Sequence, residues 1–370
     1  LGFRDKVIEN IPNVDLQSYK LLIVGQIKSG KTRMWKELME LLYPNNPEAG
    51  LLFAWEDGYK SWKLNSLIPL HEYPNAWEYF KTEIVPDLIK ESKENPVTKV
   101  LGFDTIDKMH EAVSKYVLKK MSAKYARTFT SIGEIGNSTK NADNGYTLIA
   151  EEINGEMKKL KNAGYGLLWL GWTKENETET VDGLKFQSLE MALSNSARKP
   201  FESQADLICC LYPETKVLNK AGDELEENAV NKGGKEIASK FHSTEVFMYF
   251  RSNNYINISG GRFLDLPEKV PYGVKNFMEV FENAVKGQLD DGENIEKLRT
   301  QEIKNREDHA KGLPEKDSKE TIEDIVEQIK AVAIEKKSKK IKGINPILGD
   351  MKYETVEVAK EVLRKINELV

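Results

Sequence analysis

Residues 25 to 32 read Gly-Gln-Ile-Lys-Ser-Gly-Lys-Thr, and this octapeptide limits the fold more than any other stretch of the chain. It fills every fixed position of the pattern G-x-x-x-x-G-K-[ST], the P-loop, which wraps backbone N–H groups around a polyphosphate. Its flanks supply the context that the pattern needs. Leu21 to Val24 form a short apolar β-type run before it, and Met34, Trp35, Leu38, Met39, Leu41 and Leu42 recur at helical spacing after it. Strand, glycine loop and helix in that order present N–H groups at a helix N-terminus, where anions bind. Phosphate contact is therefore assigned to Gly25, Gln26, Ile27, Lys28, Ser29, Gly30, Lys31, Thr32 and Arg33, with Gly25 and Gly30 supplying the turn. Lys31 is expected to reach the β/γ-phosphates and the Thr32 hydroxyl to ligate Mg²⁺.

Two later strands end in acids. Leu51 to Trp55 reads as a strand followed at once by Glu56-Asp57-Gly58. In a parallel α/β sheet ligands gather at the carboxyl ends of the strands, so Glu56 is a candidate to position an attacking water. Asp57 is explained by Asp-Gly turn chemistry. Lys99 to Asp107 is an apolar strand closed by Asp104, the pattern expected to hold Mg²⁺ or the Thr32 hydroxyl, while Asp107 could cap the next helix. Gly164 to Trp172 reads as a buried strand, and Thr173 at its tip is a candidate γ-phosphate sensor.

A helix from Lys108 to about Arg127 carries an apolar face that turns basic, with Lys120, Lys124, Tyr125 and Arg127 as candidate nucleic-acid contacts. A solvated helix end with snorkelling lysines accounts for the same pattern. Thr130 to Gly145 reads as a mobile loop, and Lys174 to Pro200 as a polar stretch with a hairpin around Asp182-Gly183. Further strands are expected at Ala205–Tyr212 and Val246–Arg251, and a helix ends the core near Gly287. The resulting division is 1–287 as an ATPase core, 288–318 as a charged linker, and 319–370 as a small helical C-terminal module. Lys336, Lys337, Lys339, Lys340 and Lys342 form a basic run in that module, a partner or nucleic-acid contact or simply a solvated turn.

Composition narrows the partners. A net charge of −5 argues against coating duplex DNA by bulk charge, though a local basic groove stays open. Cys209 and Cys210 are adjacent in an apolar run and read as reduced core residues, and the four histidines lack metal-ligand spacing. No apolar run approaches membrane-spanning length and no leader pattern is seen, so a cytoplasmic location without membrane contact is expected.

Taken together, G-Q-I-K-S-G-K-T, L-L-F-A-W-E-D-G, V-L-G-F-D-T-I-D and G-L-L-W-L-G-W-T-K, with a strand ending in Arg251 and G-G-R-F downstream, resemble the RecA-type ATPase core. Across residues 18 to 285 the chain looks most like the phage and prophage single-strand annealing proteins of the Sak type, distant relatives of the recombinases. That resemblance implies an α/β fold, a mostly parallel sheet flanked by helices, with ATP and Mg²⁺ as cofactors and Glu56 as catalytic base. It further implies single-stranded DNA as partner through segments 125–145 and 175–198, head-to-tail self-association, and Arg251 or Arg262 completing a neighbour's site. The strand tip at Thr173-Lys174 departs from the family by lacking an amide or histidine. A helicase-type or packaging motor, and a non-catalytic ATP-gated switch recruiting a partner protein through 319–370, are the rival readings.

Overall fold

The computed structural model describes residues 7, 10–138, 143–179, 183–218, 241–289 and 294–311, and within the C-terminal part 325–326, 329–330, 332–334, 336, 343–348 and 356–368. Its centre is β1 (Lys20–Gly25), and its sidedness follows from period two. Leu22 and Val24 point into one apolar layer and Leu21 and Ile23 into the other. A strand buried on both faces belongs in the middle of a parallel sheet with helices on each side. β1 is accordingly flanked in parallel by β5 (Gly166–Glu179) and β7 (Leu207–Leu218).

Beyond β5 lie β4 (Val100–Asp104), β2 (Gly50–Ala54) and the short β3 (Leu67–Ile68), all parallel. Beyond β7 the sheet turns antiparallel, through β8 (Phe241–Tyr249) to β10 (Lys269–Pro271), and β9 (Gly260–Gly261) pairs with β7. The order is thus β10-β8-β7-β1-β5-β4-β2-β3. This is a mixed α/β P-loop NTPase core with a mostly parallel sheet, the expected fold class.

One face carries α2 (Ala76–Tyr79), a π turn at Phe80–Ile84, α3 (Val85–Glu94), α4 (Ile106–Lys124) and α6 (Gly145–Asn162). The other carries α1 (Lys31–Leu42) and α8 (Val274–Lys286), with Met34, Trp35, Leu38, Phe277 and Phe281 buried against the strands. Cys209 and Cys210 are free and buried, and belong to opposite layers.

Three stretches differ from the sequence reading. β5 does not stop at Trp172. It runs on to Glu179 and folds back through β6 (Lys185–Met191), so the polar residues after Thr173 continue a strand rather than end one. Gly183 takes the left-handed backbone of the hairpin, and Asp182 lies outside the described residues. The segment read as a mobile loop contains α5 (Ile132–Ser138), anchored by fully buried Ile135. A Cβ on Gly145 would come within 2.5 Å of the Ile132 carbonyl, so the glycine lets α5 and α6 approach.

Part of the stretch read as a charged linker is α9 (Ile295–Lys311), and it is docked. Glu302 accepts from the Val14 and Asp15 N–H groups at 2.9 and 3.2 Å and from the Ser18 hydroxyl, while Arg306 pairs with Asp15. Its charges face the core's own polar edge, which periodicity cannot reveal. α7 (Asn195–Glu202) packs fully buried Phe201 into the same layer as α4 and α6. Further on, α10 (Ile344–Leu348) and α11 (Val356–Glu368) share a separate apolar cluster with Ile325, Ile329 and Ala333. Of the basic run, Lys337, Lys339, Lys340 and Lys342 lie outside the described residues, and Lys336 donates to the Asn367 carbonyl.

Candidate functional site

The strand order brings the candidate residues to one edge. β1, β5, β4 and β2 lie side by side and parallel, so the edge at the carboxyl ends of β1, β4 and β2 presents the glycine loop, Asp104 and Glu56, with Thr173 of the longer β5 at the same level. Gly30 caps α1 with φ of 98°, a left-handed backbone that glycine adopts without strain. The loop is tight elsewhere too. A Cβ on Gly25 would lie 2.4 Å from Ser29 Oγ and 2.8 Å from the Leu211 carbonyl oxygen.

Lys31 is buried in the loop, where its ammonium donates to the carbonyls of Gly25 and Gln26, both at 2.9 Å. Burial holds its pKa below the ordinary lysine value, and the carboxylates of Asp104 and Glu56 pull the other way. Thr32 reaches across the intervening β5 to donate its hydroxyl to Asp104 Oδ2 at 2.6 Å. Asp104 is 3% exposed, and that burial raises its pKa against the opposing Thr32 hydrogen bond and Lys31 charge.

Glu56 sits two residues past the end of β2 in a half-buried position. Its carboxyl is pushed up to about 7, first by burial and then by the Asp104 charge, with Lys31 opposing. The Trp55 N–H donates to the Asp104 carbonyl at 2.7 Å, which ties the end of β2 to the end of β4. Asp107 does not cap α4. Thr105 occupies the cap position, and Asp107 accepts the Trp172 N–H at 2.8 Å, locking α4 to β5.

Around the loop, Gln26 is half-buried, Ile27 is 71% exposed and Lys28 takes φ of 67°. Ser29 is buried and its hydroxyl has no hydrogen-bond partner among the described residues. Arg33 pairs with Glu37 at 2.6 Å and lies over the Tyr272 ring. Tyr272 itself went unnoticed in the sequence. Its hydroxyl donates to the Gly30 carbonyl at 3.3 Å, and its ring flanks the glycine loop. It stands between β10 and α8, hundreds of residues downstream, and no spacing pattern links it to the loop.

The remaining candidates fall elsewhere. β8 runs antiparallel to β7, so Arg251, just past its end, lies exposed toward the amino ends of the parallel strands. Arg262 is at that same end, 3.3 Å from Asp206 and donating to the Ser203 carbonyl. At the end of α4, Lys120 pairs with Glu152 at 3.7 Å, and Lys124 and Tyr125 both engage Asp143. Arg127 is exposed, over the Phe129 ring. Lys120 and Lys124 thus bridge α4 to acids on and just before α6. The apolar stripe does not turn basic, since Met121 continues it into the core.

The arrangement suits a polyphosphate with Mg²⁺. Ser29 offers an unpartnered hydroxyl within a cradle too tight for a side chain at Gly25, and Thr32 and Asp104 are already oriented on each other. Among the described residues no group of three or more His, Cys, Asp or Glu could hold a metal. Among those residues no helix is long and apolar enough to cross a membrane.

No curated protein matches the chain. The family model described as an AAA domain matches residues 17–253, a span from just before β1 to just past β8 that holds the glycine loop, Glu56, Asp104 and Thr173. More than half the chain is matched, and the fold has the P-loop, the acid-tipped strands and the parallel sheet of a nucleotide-binding ATPase: the chain belongs to the AAA domain family.

Proposed function

We propose that the protein hydrolyses ATP in a Mg²⁺-dependent reaction and couples that turnover to single-stranded DNA, in recombination, annealing or repair of the phage type. The observation that carries the catalytic part is the 2.6 Å Thr32–Asp104 hydrogen bond facing a glutamate of displaced pKa across the same strand ends. Lys31 and the loop N–H groups bind the phosphates. Thr32 and Asp104 would hold the metal. When bound, Mg²⁺ supplies charge neutralisation on the β- and γ-phosphate oxygens.

Glu56 orients a water for in-line attack on the γ-phosphorus and takes its proton at a carboxylate oxygen. The P–O bond to the β-phosphate breaks, leaving ADP and phosphate. Asp104 keeps the Thr32 side chain in one rotamer, and Asp107 fixes α4 against β5, so the acids stay aligned with the loop. Self-association head to tail belongs to this reading. Arg251 is the candidate with the freer side chain to enter a neighbour's site, because Arg262 is held by Asp206 and Ser203. Support for the DNA partner comes from the resemblance to recombinase-type cores.

The test is ATP hydrolysis by the purified chain with and without a single-stranded oligonucleotide, with Lys31→Ala as the blank. Turnover that rises with the oligonucleotide and vanishes in the blank is expected. Turnover indifferent to the oligonucleotide removes the DNA part, and no turnover above the blank removes the catalytic part.

A further inference from the structure

Beside Glu56 the fold holds a cleft of about 190 Å³ that the chemistry above does not use. One wall is the segment from His71 to Glu78, and the other is the face of α4 that carries Lys108, Lys115 and Tyr116. Trp55 and Trp77 line it as apolar walls, 4% and 1% exposed.

At the rim, Tyr73 is stacked flat on Tyr79, with ring centroids 4.3 Å apart and planes 9° from parallel. Tyr73 is 38% exposed and lines the cleft, so this ring has a neighbour on one face and surface left for a second. The acids of the cleft are spoken for: Glu111 pairs with Lys108 at 2.7 Å and Glu78 with Lys119 at 3.1 Å. Lys115 is exposed and, among the described residues, has no carboxylate partner. The cleft therefore offers an aromatic face and one unmatched cation. A nucleotide presents the complement: a flat base and a phosphate.

We infer that this cleft takes one nucleotide of a single-stranded nucleic acid, its base stacked on Tyr73 and its phosphate toward Lys115. This rests on the reading above that the partner is a single strand, and it assigns that partner a place that sequence patterning did not. The position also gives the strand a route to catalysis. Trp55, on the cleft wall, is covalently next to Glu56 and hydrogen-bonded through its backbone to Asp104, and Lys108 on the opposite wall directly follows Asp107.

The experiment is fluorescence anisotropy of labelled oligo(dT) and oligo(rU) with the full chain in the presence of a nonhydrolysable ATP analogue. Tyr73→Ala is expected to weaken binding about tenfold, the usual effect of losing one stacked base, while Tyr73→Phe retains most of it. Lys115→Ala is expected to lower the salt dependence by about one ion. Both side chains are exposed, so melting curves should match wild type. The tighter of the two oligomers tells whether DNA or RNA is the source. Wild-type binding that all three variants share overturns the cleft alone. No binding of either oligomer by wild type overturns the cleft and the single-strand reading together.

Discussion

The displaced carboxyl of Glu56 makes the catalytic assignment testable by pH alone. Its ordinary value near 4.5 is moved to about 7 by burial and by the neighbouring Asp104 charge. A general base must be ionised to take a proton, and kcat/KM reports the ionisations of the free enzyme. With a value near 7, about a tenth of Glu56 is ionised at pH 6 and about nine-tenths at pH 8, so kcat/KM should rise nearly tenfold between them. An ordinary glutamate would give a flat profile there. Lys108 holds the value down slightly, so Lys108→Ala should move the inflection to higher pH. Glu56→Gln should remove the pH dependence and lower kcat by roughly 10²- to 10⁴-fold. The same displacement has a stability consequence of opposite sign. Between about 4.5 and 7 the folded chain binds more protons at Glu56 than the unfolded chain, so this group's contribution to stability falls as pH rises through that window. The assay is steady-state ATP hydrolysis from pH 6 to 8 at fixed ionic strength. A flat kcat/KM with Glu56→Gln within a few-fold of wild type refutes the assignment.

Three further outcomes follow from particular contacts. Gly25→Ala places a Cβ 2.8 Å from a backbone oxygen that cannot rotate away, an overpacking of about 1–3 kcal/mol, so nucleotide affinity by fluorescent-analogue titration should fall about fivefold or more. Tyr272→Ala removes a hydroxyl contact to Gly30 and a ring beneath Arg33, together about 1 kcal/mol, and should weaken nucleotide binding about fivefold in the same titration, with Tyr272→Phe intermediate. Glu302→Ala leaves the Val14 and Asp15 N–H groups without their acceptor, about 2 kcal/mol, and should lower Tm by a few degrees in calorimetry and speed amide exchange at both.

What the sequence made legible was local. A strand, a glycine loop and a helix sit within some twenty residues, and their pattern is a backbone requirement that few other sequences meet. An acid at a strand's end is also local, which is why Asp104 and Glu56 could be placed before the sheet order was known. Contacts set by tertiary packing were not legible. Lys120 and Lys124 look like a basic stripe along α4, yet their acids, Glu152 and Asp143, belong to another segment, and a single helix pattern cannot display them. α9 reads as solvated because its burial is polar: Glu302 and Arg306 dock through hydrogen bonds and ion pairs, not apolar periodicity. The strand after Thr173 was cut short for a similar reason, since a two-stranded ribbon paired to β6 has no need of an apolar face.

The distribution of unpartnered polar atoms leads to a last prediction. Among the described residues the buried side-chain atoms without a hydrogen-bond partner belong to Ser29, Trp55, Trp77, Thr105, Trp169, Thr173 and Ser259. Ser29, Thr105 and Thr173 follow the carboxyl ends of β1, β4 or lie at the sheet edge of β5, beside the glycine loop and the two acids. Each such hydroxyl costs about 1–3 kcal/mol in a fold judged by stability alone, and proteins break local rules where function asks for it. Thr173→Val keeps the shape of the side chain and removes the unsatisfied hydroxyl from a position only 8% exposed. The variant should therefore gain about 1 kcal/mol of stability in denaturant titration while its ATP turnover drops, because a hydroxyl just past the register of the glycine loop on β5 loses its chance to touch the γ-phosphate. A less stable variant would show that the hydroxyl is no strain on the fold, and an equally active one that it makes no contact to the substrate.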